Sequence, residues 1–219
     1  MLAELQNYLT RIYQVDPGCR ITDFLVTDPT LAAVLGRGSI VPDTEESVLL
    51  AEHEDGVDLC LYLDRDLLQR LAGENPMRRL RAHRLKDLWT VLEGISHFNY
   101  LAWSARRDRK VTLMELEMQA EVDKFVSTLL LALSQEGCDF AHLLHKWLFE
   151  QVRFNPGLDR TQRERYETAN SYAGRFCHGL LRRLLRNNDE GMGELRHFYR
   201  LSQPDKISHI HSQAYAQPA

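Results

Sequence analysis

The sixteen residues LWTVLEGISHFNYLAW, positions 88–103, decide how this chain is read. Leu88, Trp89, Leu92, Ile95, Phe98, Leu101 and Trp103 fall on nearly every side of a helical wheel, and a helix apolar all round belongs at the centre of a bundle. Two polar side chains interrupt it. Glu93 and His97 are four apart and so share one face, with Trp89 a turn before and Tyr100 a turn after. Burying a carboxylate or an imidazole unpaired is costly, so this pair must find partners.

Outward from that stretch, helical spacing extends over 77–106. Thr112-Leu113-Met114-Glu115 has the capping-box form, with Glu115 assigned to the cap, and opens a helix to about Leu133. Further helices are expected over 140–153, from a second box at Thr161-Gln162-Arg163-Glu164 through Leu184, over 193–199, and over 204–211 with Ser202 as cap. Residues 212–219 read as a loose polar tail. Towards the N-terminus, residues 2–14 carry helical spacing stopped by Asp16-Pro17-Gly18, and Thr27-Asp28-Pro29 starts a short helix. Alternation over 57–63, after Glu54-Asp55-Gly56, predicts a hairpin spanning 47–63, with Asp-Gly suited to a type I′ turn. A helix over 65–72 follows. The expected fold is mainly α, of α+β type. An acidic α/β unit with the hairpin (1–76) packs on a bundle of about five helices (77–211).

Composition sets the outer limits. Of 219 residues, 44% are hydrophobic and 26% charged, as in ordinary globular chains. Residues 1–77 hold 14 acidic and 5 basic side chains, against 17 and 22 in the remainder. Such a split suits a nucleic-acid face on the basic half or an acidic layer docking on a basic bundle. No secretory leader or membrane-length apolar run is visible, and Cys19, Cys60, Cys138 and Cys177 are scattered, so reduced thiols and a cytoplasmic location are expected. The basic clusters at 78–86, 106–110 and 182–186 are diluted by acids and spread along the chain, which disfavours a nucleic-acid face.

Phosphate-loop, dinucleotide-binding, zincin and nucleophile-elbow motifs are all absent, and no catalytic residue, metal ligand or cofactor is assigned. Glu93 and His97 read first as a hydrogen-bonded network joining helices, through Ser96 or Asn99. Glu117 and Glu121 form another i, i+4 pair, with Lys124 continuing a face read as solvated or paired by that lysine. Glu167, Asn170 and His178 lie where a later helix could complete a polar pocket with Glu93, His97 and Tyr100. The leading expectation is a non-enzymatic interaction or regulatory protein with a protein partner or a second copy, and no membrane. The alternative is an enzyme or a ligand- or metal-binding protein using that pocket.

Overall fold

The computed structural model describes residues 1–36, 44–53, 56–135, 140–152 and 157–215. Eight α-helices and three strands are found among them: α1 (Leu2–Tyr13), β1 (Leu25–Val26), α2 (Pro29–Leu35), β2 (Glu46–His53), β3 (Gly56–Leu63), α3 (Arg65–Gly73), α4 (Leu85–Ala105), α5 (Leu113–Ser134), α6 (Arg160–Arg186), α7 (Asn188–Arg200) and α8 (Gln203–Tyr215). The fold is mainly α with a small sheet. None of the described helices is long and apolar enough to cross a membrane.

α4 and α5 form the centre. α4 packs on the sheet, α1, α3 and α5, and α5 lies between α4 and α6, with α7 packed on α6 and α1, and α8 on α6. Leu88, Leu92, Ile95 and Phe98 are fully buried, as an all-round apolar helix requires. α5 goes further: every residue from Glu115 to Leu129 is buried, five charged ones among them. The core runs without a break from α1 and β3 into α4–α8, across residue 76.

The sheet order is β1-β3-β2. β2 and β3 pair antiparallel from Glu46↔Leu63 to His53↔Gly56, and β1, which the sequence did not suggest, runs parallel to β3. The turn residues 54 and 55 lie outside the described set. Leu61 and Leu63 face α4, while Ala32 of α2 covers Tyr62 and Leu49 on the other side. α2 starts as expected, with the Asp28 carboxylate accepting from the Thr30 and Leu31 N–H groups.

Four local expectations need correction. The helix expected from 77 begins at Leu85, because the Leu80 N–H donates to Gln135 Oε1 (2.6 Å) and Arg81 is extended. Over 140–152 there is a 3₁₀ turn (Ala141–Leu143) and a π turn (Lys146–Glu150) instead of one α-helix. There Asn170 Nδ2 donates to the Leu148 carbonyl (3.0 Å) and Phe149 closes on Gly174, where an added Cβ would lie 3.1 Å from Phe149 Cβ. The capping box of α6 is Asp159 with Gln162, ahead of Thr161. Of the earlier box, only the Thr112 hydroxyl caps α5, since Glu115 is drawn into the core.

The end of α1 is closed by cations from α7. α1 ends on Gln14 in the left-handed region (φ 52°). The guanidiniums of Arg196 and Arg200, from α7, donate to the carbonyls of Ile12 (3.0 Å) and Tyr13 (3.1 Å), where the helix dipole favours cations.

Candidate metal centre

Where β2, α4, α5 and the start of α6 meet, charged side chains converge under the sheet. Gly94 makes the approach possible, since a Cβ there would lie 2.9 Å from both Glu46 Cγ and Leu61 Cδ1. Glu46 thereby reaches His97, with Oε1 at 3.5 Å from Nδ1. On the other edge of the imidazole, Nε2 lies 3.5 Å from Glu117 Oε2. Both contacts are ion-pair distances, too long for good hydrogen bonds. Glu46 Oε1 and His97 Nε2 are buried with no hydrogen-bond partner among the described residues. Ligand atoms of Glu93, His97 and Glu117 all lie within 4.8 Å of one another.

Lys124 closes the far side, donating to Glu93 Oε2 (3.0 Å) and Glu121 Oε1 (2.8 Å). Arg165 Nε stands 3.9 Å from Glu117 Oε1. The side chain of Glu93 is 24% exposed, against 8% for His97 and Glu117, so the cluster opens to solvent beside Glu93.

The electrostatics follow from crowding. Burial works to depress the His97 pKa, but Glu117 and Glu46 on either side outweigh it and hold the imidazole well above its ordinary value. Burial raises Glu46 and Glu121, each against a cationic neighbour. Burial also works to raise Glu93, yet Lys124 and His97 prevail and keep it low. The phenol of Tyr166 is pushed up by burial and by Glu117, Glu93 and Glu46. Four carboxylates thus share this space with two permanent cations, Lys124 and Arg165. With a neutral imidazole the excess is two negative charges.

No protein-family model, curated protein or solved structure matches this chain.

Of the residues singled out in the sequence, the structure gathers Glu93, His97, Glu117 and Glu121. The expected link through Ser96 or Asn99 is not made: Ser96 donates to Asp123 (2.6 Å) and Asn99 accepts from Gln6 (3.0 Å). Tyr100 points away, its hydroxyl donating to Glu115 (2.6 Å). Glu167 is exposed, Asn170 serves the π turn, and His178 packs edge-on to His145. The face bearing Glu121 is paired by Lys124, and it is buried rather than solvated. Glu46, Arg165 and Tyr166 were missed, because nothing in a sequence brings β2 and α6 onto one turn of α4.

A second buried network was also missed. Asp123 accepts from Tyr13, Ser96 and Gln119, and the fully buried Lys206 of α8 donates to Gln119 Oε1. Its ammonium also sits 4.8 Å from the ring centres of Tyr100 and Phe198. Burial brings Lys206 down to about 7 and lifts Asp123 to about 6. Arg109 fastens the rim, donating to Glu115 and to the Leu201 carbonyl (2.7 Å).

Proposed function

We propose that this protein binds one divalent transition-metal ion through Glu93, His97 Nε2 and Glu117. The observation that carries the reading is the buried His97 Nε2, without a hydrogen bond among the described residues, lying among carboxylates whose ligand atoms are within 4.8 Å of one another. Glu46 on the Nδ1 side fits the usual companion of a metal-bound histidine, a carboxylate that accepts the other N–H and fixes the ring. One nitrogen and two oxygens suit zinc, manganese or ferrous iron. Three protein ligands leave a position for water or substrate, here towards the exposed side of Glu93, as in a Lewis-acid site rather than a closed structural one. In the metal-free protein a proton on His97 stands where the ion would sit, and binding releases it.

Calorimetry of metal-stripped protein with Zn²⁺ and Mn²⁺ tests this. One equivalent is expected, abolished by Glu117→Gln and by His97→Gln. Folded wild-type protein that takes up neither ion would refute it and leave an imidazolium held between two carboxylates as the whole role of the cluster.

The interaction reading rests on a different place. Leu31, Val34 and Leu35 of α2 are exposed on the helix outside the sheet. Sedimentation of wild type against Val34→Asp and Leu31→Asp tests it, and identical monomeric profiles would remove self-association through that strip.

A further inference from the structure

Resting on the metal reading above, we propose that the Lys124 ammonium is a built-in second cation that restricts the centre to one metal ion. The carboxylates continue past the ligand set. Glu93 belongs to the metal triad, yet its Oε2 is bound by Lys124 at 3.0 Å, and Lys124 also holds Glu121 at 2.8 Å. One carboxylate therefore has a positive group on each side, the relation of a bridging carboxylate to two metal ions. The amine is carried by the helix that supplies two of the cluster's carboxylates: Glu117, Glu121 and Lys124 recur at helical spacing on α5, all within its buried run. Lys124 itself is only 10% exposed, so it cannot swing into water without leaving two buried carboxylates uncompensated. A lysine in this position does for Glu93 and Glu121 what a second divalent ion would do, with one charge instead of two.

The consequence is a stoichiometry. Removing the ammonium while keeping both carboxylates leaves a vacancy between Glu93 and Glu121 that a second hard, oxygen-preferring ion fits. Lys124→Gln keeps much of the side-chain volume and an amide donor for one carboxylate while removing the charge.

Metal-stripped wild type, Lys124→Gln, Lys124→Gln/Glu121→Gln and Glu121→Gln are titrated with Mn²⁺, with bound ion counted and examined by electron paramagnetic resonance. The wild type is expected to take one ion with an isolated-ion spectrum. Lys124→Gln is expected to take two, with an exchange-coupled spectrum. The double variant returns to one, and Glu121→Gln alone stays at one. A folded Lys124→Gln that still takes one ion overturns the proposal, and so does a wild type that takes two. Glu121→Gln does not depend on whether the lysine variants fold: loss of the ion there makes Glu121 a ligand of the first site and likewise overturns it. A wild type that takes none refutes the metal reading itself, a separate outcome.

Discussion

Replacing Lys206 with methionine tests the interior of this protein most directly. Methionine keeps the length and volume of the stem and removes the amine, which lies among Gln119, Asp123 and Glu115 of α5, Tyr100 of α4, Phe198 of α7 and Arg109. The native amine titrates at about 7, against an ordinary 10.5. Below pH 7 it is protonated in both folded and unfolded chains, so pH has no purchase on its contribution. Between 7 and 10.5 the unfolded chain holds the proton and the native one does not. Stability then rises with pH by about 1.4 kcal/mol per unit for this one group. Across that window the gain is on the order of 3–5 kcal/mol. Asp123 works the other way and lower down, since its raised pKa of about 6 makes stability fall as pH climbs from about 4 to 6. The assay is urea unfolding of wild type and Lys206→Met at pH 6, 7, 8, 9 and 9.5. The difference between them should be flat to pH 6 and then grow in favour of the wild type. Taking the difference cancels groups common to both, and packing lost with the substitution shifts it without changing its slope. A difference independent of pH from 7 to 9.5 would refute the reasoning.

Gly94→Ala places a Cβ 2.9 Å from Glu46 Cγ and Leu61 Cδ1, so it should cost about 1–3 kcal/mol and weaken metal binding by displacing Glu46, both read from melting with and without Zn²⁺. His97→Ala leaves Glu46 and Glu117 buried without their shared cation and should cost about 3–5 kcal/mol in chemical denaturation, whereas His97→Gln should cost less while still abolishing metal uptake. Arg200→Ala removes a charged donor to the Tyr13 carbonyl and should cost about 1–2 kcal/mol, with hydrogen exchange accelerated in the last turn of α1. Asp159→Ala should cost about 1 kcal/mol through loss of the α6 cap, and an unchanged urea midpoint would show that the cap is replaced by another group.

How much of this was legible in the sequence differs by element. α4 announced itself, because apolar residues on every side leave no other place for a helix, and the two polar exceptions marked the site. The rest of the surrounding cluster was harder. Glu117, Glu121 and Lys124 looked like a solvated face because charged residues usually are. Yet Leu116, Met118, Ala120, Val122, Phe125, Val126 and Leu129 also ring their helix. That is the pattern that placed α4 at the centre, and it was a readable signal that α5 is buried too. Glu46 gave none, since its role depends on a strand crossing α4 at Gly94. Lys206 gave none either: it stands in a short helix of mixed polarity, where a lone lysine reads as solvent-facing. Boundaries failed where tertiary contacts took over backbone groups, as Gln135 does at Leu80 and Asn170 at Leu148.

The two arginines that close α1 have a bearing on how the chain is made. Their partners stand 184 and 187 residues earlier, so α1 is finished by a helix made long after it. At roughly 5–20 residues per second, the apolar face of Leu5, Leu9, Ile12 and Tyr13 waits about 10–40 s for α7 to arrive. α4 emerges about halfway through that interval and offers the first cover. Synthesis therefore passes through a stage in which the adhesive α1 is held on one side only, and any stall before residue 196 would present that segment to chaperones or to neighbouring chains.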